Sequence, residues 1–263
     1  MEILLEIQGL SKTFRGLRAV DDYSVRLASG EILGIIGPNG AGKSTVFNLL
    51  TGHLRPTRGV IRFRGRDITR LPPHRIARLG MGRTFQNIRL FPSMTVLDNV
   101  RSARQLHDRD SLVTTLLSAG PFRKREARLE ARVREDLRLF GLEDRSAEPA
   151  TNLSYGDQRK LEMVRALALE PSLLLLDEPT AGMNTHESMM VLELIRRIHE
   201  TWRLAIIIVE HNMPLVMNLC PRIQVLNYGQ VIAEGPPQAI RSDPRVVESY
   251  LGQVTEDAAA APA

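Results

Sequence analysis

The chain has 263 residues, of which 43% are hydrophobic and 25% charged, a composition that fills a sizeable core and excludes wholesale disorder. Its single cysteine, Cys220, excludes an internal disulfide, and no apolar run reaches the roughly 18 to 20 residues that span a bilayer. A net charge of +5 suits nucleic acid, an anionic membrane surface or plain solubility, so charge by itself selects no partner.

The N-terminal stretch MEILLEIQGL carries glutamates where a signal peptide would be basic, so the chain is expected to be soluble and not exported. Alternating runs LLEIQGL, YSVRLA and GVIRFRG read as half-exposed antiparallel strands. EILGIIG, from Glu31 to Gly37, is instead continuously apolar, the pattern of a strand buried on both faces, and GKSTVFNLL after it has helical length. Between roughly Asn87 and Asn152 the strand signal disappears and charged helical sequence takes over, which predicts an inserted helical subdomain at about 87–152. Within it, RKREARLEARVRE (Arg123 to Glu135) interleaves glutamates at helical spacing and lacks aromatics for base stacking, and so reads as a solvated helix face. LLLLDE (Leu173 to Glu178) and LAIIIVE (Leu204 to Glu210) are two more buried strands, followed by the helical segments THESMMVLELIRRIHE and MPLVMNL. Strand followed by helix three times is the α/β alternation of a doubly wound parallel sheet. IQVLNYGQVIAEG reads as a hairpin turning near Asn227, Tyr228 and Gly229, placed beside the core sheet. Residues 1–252 are expected to form one domain, with the low-complexity tail 253–263 disordered. Cys220 has no histidine or cysteine cluster around it and reads as a buried structural thiol.

Gly37-Pro-Asn-Gly-Ala-Gly42-Lys43-Ser44 matches the phosphate-loop pattern G-x4-G-K-[ST] and sits between a buried strand and a helix, the context that makes it a phosphate cradle. Glycines 37, 40 and 42 let backbone N–H groups of Asn39 through Thr45 converge on phosphates, Lys43 adds a point charge, and Ser44 offers a hydroxyl to Mg²⁺. Asp177 at the end of LLLLDE is placed to support that ion, and Glu178 to orient or deprotonate a water; adjacent carboxylates there also suit an acidic helix cap. Gln86 in RTFQN and His211 in IIIVEHN are weak signals when taken singly. LSYGDQ, from Leu153 to Gln158, has a small hydroxyl, a turn glycine and a following helix, as a second phosphate loop without a lysine would.

Taken in order, GPNGAGKST, Gln86, LSYGDQ, LLLLDEP and His211 resemble the ATP-binding subunits of ABC transporters, and the resemblance runs from Ile3 to Gly252. It implies a P-loop ABC ATPase fold with an antiparallel β subdomain and an inserted helical subdomain. It also implies that Gln86 reaches Mg²⁺ and the attacking water, that His211 contacts the γ-phosphate, and that Phe14 stacks on adenine. LSYGDQ then matches the signature motif, whose Ser154, Gly156 and Asp157 would face ATP bound to the opposite subunit of a head-to-tail dimer, identical or paralogous. The sequence departs from that family's pattern at Tyr155, Asp157 and Asn184.

Further stretches, RTFQNIRLFPSMTVLDNV, LSYGDQRKLEMVRAL, DEPTAGMN, VEHNMPLVM and ESYLG, look like the ATPase subunit of a branched-chain amino acid importer. Relatives serving urea or amides look much alike. The resemblance implies transmembrane permease subunits as partners, a solute-binding protein indirectly, no nucleic acid, and a peripheral position on the cytoplasmic face of the inner membrane. Soluble ABC ATPases of translation or DNA repair usually carry two cassettes or a long coiled coil, and this chain has neither. It also lacks the N-K-x-D motif of a GTPase.

Overall fold

Alternation builds the first sheet. β1 (Ile3–Phe14) and β2 (Leu17–Ala28) pair antiparallel with Ile7 opposite Val25, and β4 (Arg58–Phe63) joins the other edge of β1 with Ile7 opposite Ile61. The two-residue β5 (Arg66–Asp67) completes a four-stranded sheet in the order β2-β1-β4-β5. These come from a computed structural model that describes residues 2–105 and 119–250; the expected disordered tail, 253–263, lies outside the described residues.

The continuously apolar runs become β3 (Ile32–Ile36), β7 (Leu173–Asp177) and β8 (Ala205–Val209), each buried along its whole length. They lie parallel in a six-stranded sheet of order β10-β9-β3-β8-β7-β6. Successive strand residues point to opposite faces, so each strand feeds two cores. Leu33, Ile35, Leu175 and Ile207 pack with Leu5, Ile7 and Tyr23 of the antiparallel sheet and Phe47 of α1 (Lys43–Leu50). Ile36, Leu174, Leu176 and Ile208 pack on the other face, against Leu161 of α5 (Tyr155–Leu167), Ile195 of α6 (Thr185–Trp202) and Val216 of α7 (Met213–Leu219). A Cβ at Gly34 would stand 2.7 Å from Val216 Cγ1, so the missing side chain is what lets α7 close on β3.

Two features differ from the sequence reading. The hairpin β9 (Arg222–Asn227) and β10 (Gln230–Gly235) turns at Tyr228 and Gly229, both with positive φ, as expected of a primed turn. It does not stand beside the core sheet, however, because β9 pairs parallel with β3 and extends that sheet. β6 (Met81–Arg83), the outer strand on β7, has only three residues and therefore no readable period.

Among the described residues between β6 and β7 the longer elements are helices, α3 (Val96–Arg104) and α4 (Ala119–Leu139) preceding α5; outside that stretch, α2 (Pro73–Arg78) before β6 and α8 (Pro237–Ser242) after β10 are short helices. On α4, Leu129, Val133 and Leu137 recur every four residues and enter the core, while Arg134 pairs with Glu130 on the solvated side.

Candidate functional site

The phosphate-loop sequence forms the turn between β3 and α1. Gly37, Gly40 and Gly42 all have positive φ, and a Cβ at Gly37 or Gly42 would collide with the backbone carbonyl of Leu226 or Ala19 respectively. Only glycine fits this turn. Lys43 folds over it, its Nζ donating to the carbonyls of Gly37 (2.7 Å) and Pro38 (2.9 Å). Burial holds the Lys43 ammonium below its ordinary pKa, against the pull of Glu178 and Asp177.

A pocket of about 230 Å³ opens over the loop, lined by Asn39, Gly40, Gly42, Lys43, Ser44 and Thr45, and closed by Gln86, Glu178 and His211. Gln86 Nε2 donates to Glu178 Oε2 at 3.1 Å, and His211 Nε2 meets Glu178 Oε1, so both oxygens of one carboxylate are held from opposite sides. Glu178 is the first residue after β7 and adopts φ +49°, a left-handed conformation costing a non-glycine residue about 1 to 2 kcal/mol. Its backbone N–H donates to Val209 of β8 at 2.9 Å, which fixes the kink. Backbone strain of this kind concentrates at functional sites.

Asp177 lies beneath the pocket, 2% exposed. Its Oδ2 accepts from Arg83 at 2.9 Å, while its buried Oδ1 has no hydrogen-bond partner. Burial pushes the Asp177 carboxyl up from its ordinary value, against Arg83. The sequence does not single out Arg83, because an arginine before TFQ carries no motif of its own. Glu210 likewise carries no motif in the sequence; it accepts from the Thr180 hydroxyl at 2.6 Å and from the backbone N–H of His211 at 3.2 Å, steadying the segment that carries that histidine.

The remaining predicted residues stand apart from this pocket. Phe14 is partly exposed near the β1–β2 turn with Lys12 Nζ 5.0 Å from its ring centre. Ser154, Gly156 and Asp157 begin α5. Ser154 is its N-cap: the hydroxyl accepts from the Asp157 N–H at 3.2 Å and donates to the Asp157 carboxylate at 3.0 Å. Arg145 and Lys160 also bind that carboxylate, at 3.2 and 2.9 Å. Burial raises the Asp157 pKa, but the hydrogen bonds from Lys160 and Ser154 outweigh it and leave the group below its ordinary value. The charge that this departure introduces is therefore locally compensated. Asn184, another departure, caps α6 in a reciprocal box with Glu187, each bond 2.9 Å.

Comparison with known proteins identifies the family. The family described as ABC transporter matches residues 20–181, and the one described as branched-chain amino acid ATP-binding cassette transporter matches residues 230–254. The high-affinity branched-chain amino acid transport ATP-binding protein LivG of Salmonella typhimurium is 43% identical over 95% of this chain and 98% of its own length. BraF of Pseudomonas aeruginosa, a protein of the same description, is 39% identical over the same shares. Among solved structures, the ADP conformation of MJ1267, an ATP-binding cassette of an ABC transporter, superposes with a TM-score of 0.82 at 29% identity, over 96% of this chain and all of that one. With its phosphate loop, its paired carboxylates and these relatives, the chain belongs to the ABC transporter family of ATP-hydrolysing, transport-coupled subunits.

Proposed function

We propose that this chain powers an importer of branched-chain amino acids, and that it works in a pair with each ATP clasped between the phosphate loop of one subunit and the start of α5 of the other. One observation carries the reading: Lys43, Ser44, Gln86, Glu178 and His211, from four separate stretches of sequence, line a single pocket. The likeness to LivG supports the solute class. Among the described residues no helix is long and apolar enough to cross a membrane, so transmembrane permease subunits would supply the passage and this subunit would sit at their cytoplasmic face.

The loop N–H groups and Lys43 receive the phosphates, the ammonium leaving two neutral carbonyls for a charged partner. The residues fit a magnesium ion: Ser44 lines the pocket, and Asp177 keeps one buried oxygen without a hydrogen-bond partner. Among the described residues no group of three His, Cys, Asp or Glu is arranged to hold a metal ion, and magnesium at such a site takes most of its ligands from phosphate and water. Bound there, magnesium would neutralise charge on the β- and γ-phosphates. Glu178, held by Gln86 and His211, orients a water for in-line attack on the γ-phosphorus and accepts its proton as the bond to ADP breaks.

Replacing Glu178 with Gln is expected to leave ATP binding nearly intact and to slow hydrolysis on the order of a hundredfold or more. Hydrolysis at the wild-type rate would remove Glu178 from this role. In the same background, ATP should drive subunit pairing on a sizing column, and Ser154→Arg should abolish it by intruding where the opposite γ-phosphate sits. In membrane vesicles holding the native complex, labelled leucine uptake should require ATP. Uptake of urea in its place would reject the solute assignment.

A further inference from the structure

Tyr155 stands where the signature motif usually has glycine, and neither the phosphate loop nor the pocket explains it. Its hydroxyl accepts from Arg159 at 2.9 Å. Arg159 is 3% exposed and also reaches the loop that follows β6: Nη1 donates to the Phe85 carbonyl at 2.6 Å, and Nη2, which holds the phenol, donates to the carbonyl of Gln86 as well. One helical turn on, Glu162 accepts from the backbone N–H groups of Phe85 and Arg89, both at 3.3 Å, and Arg165 donates to the Arg89 carbonyl. Residues 159, 162 and 165 share one face of α5, so the backbone groups of this loop are satisfied by that helix. On its other side the Tyr155 ring lies against Gly182, where a Cβ would stand 3.0 Å from Cε1. Gly182 is in the loop that leaves Glu178.

We propose that Tyr155 and Arg159 are positioning residues that transmit the seating of the opposite subunit's ATP on Ser154 and Gly156 to Gln86 of the same chain. The inference rests on the site assignment above. α5 is a 13-residue helix, stiff along its length, so a phosphate drawing in its first turn moves Arg159 with it. Arg159 holds the Gln86 carbonyl, and the Gln86 side chain holds Glu178. The charge-assisted bond from Arg159 to the phenol sets the guanidinium against the first turn, and an aliphatic or small residue at 155 has no atom to do this. Each subunit would then align its own water-orienting carboxylate only when it is also clasping its neighbour's nucleotide.

The test uses the full chain and four variants: Tyr155→Phe, Arg159→Lys, Gln86→Ala and the Tyr155→Phe/Gln86→Ala double. Tyr155→Phe removes one hydrogen bond and keeps the ring, so kcat should fall about fivefold at unchanged KM for ATP and unchanged thermal midpoint. In the Gln86→Ala background the same change should cost nothing more, because residues acting through one another do not add. ATP-driven pairing in the Glu178→Gln background should survive Tyr155→Phe. Arg159→Lys, whose single nitrogen cannot reproduce the planar guanidinium that reaches two carbonyls and the phenol together, should lose more turnover than Tyr155→Phe; a poorly folded Arg159→Lys leaves the decision to the phenylalanine variant. Wild-type kcat in Tyr155→Phe, an equal loss with and without Gln86, or a loss of pairing would each overturn the linkage. If Gln86→Ala itself hydrolyses ATP normally, the site assignment fails and takes this inference with it, an outcome separable from failure of the linkage alone.

Discussion

Arg83 concentrates more of the site's burden than its single charge suggests. Its guanidinium bonds Asp177 at 2.9 Å, Asn48 at 2.8 Å and the Thr51 hydroxyl at 2.9 Å, and lies between the rings of Phe47 and Phe85, 5.6 and 4.8 Å from their centres. Burial pulls the arginine's pKa down and the aspartate's up, so each partner reports the cost of taking the pair out of water. Arg83→Met should therefore strand Asp177 and destabilise the subunit by about 3 to 5 kcal/mol in urea unfolding, with Asp177→Asn in the same chain recovering part of the loss. A change below about 1 kcal/mol would show that the carboxylate needs no partner. Lys43, Ser44 and Glu178 were legible because motif and flanking strand lie side by side in the sequence, and Gln86 and His211 followed from the order of motifs. Arg83 and Arg159 were not, because Asp177 is 94 residues from the first and the Phe85 carbonyl 74 from the second. No local pattern records such pairings.

At the scale of elements, α3, α5 and the loop after β6 enclose a groove of about 520 Å³, lined by Phe85, Arg89, Phe91, Ala103, Arg165 and Leu169. Its rims are cationic over aromatic: Arg89 lies 4.1 Å from the centre of the Phe85 ring and Arg165 4.7 Å from that of Phe91. Asn99 of α3 fixes Phe91 from both sides, accepting from its N–H at 2.9 Å and donating to its carbonyl at 3.0 Å. The same loop carries Gln86, so a permease helix docked in this groove, as the proposed function requires, would be felt at the nucleotide. Substituting Arg89, Leu90 or Phe91 should impair uptake or permease association while nucleotide binding by the isolated subunit persists; unchanged uptake and association in all three would reject this placement. The helices around the groove were readable from charge and period, and the buried strands from their unbroken apolar runs. The three-residue β6 was not, and the hairpin's pairing with β3 was invisible because a hairpin pattern fixes only its own register.

For the molecule as a whole, alkali should be the weak side. Burial pushes the Cys220 thiol up to about 12 from 9.0 and the Tyr250 phenol up to about 12 from 10.0, and raises Tyr23, whose hydroxyl bonds Gln224 at 2.7 Å between the two sheets. Each folded pKa lies above its unfolded value, so the stability is complete below pH 9 and is lost as pH rises towards 12, by up to about 1.4 kcal/mol per pH unit for each group. The thiol's contribution begins to fall first, because its unfolded value is the lower of these. Urea midpoints should fall from pH 9 to 10, and Cys220→Ala should flatten that fall even though it lowers the midpoint at pH 8 by opening space beside Gly34. An unchanged slope would remove the thiol from this account. The strand order carries one more consequence, for a chain still being translated. β3 takes its neighbours from β8 and β9, Ile32 beside Ile206 and Leu33 beside Arg222. A ribosome needs on the order of ten to forty seconds to make the intervening chain, and throughout that time the strand from which the phosphate loop hangs has no sheet to join. A product terminated before β8 therefore leaves β3 without either neighbour, and on the proposed function it should neither hold ATP nor poison an intact partner by pairing with it.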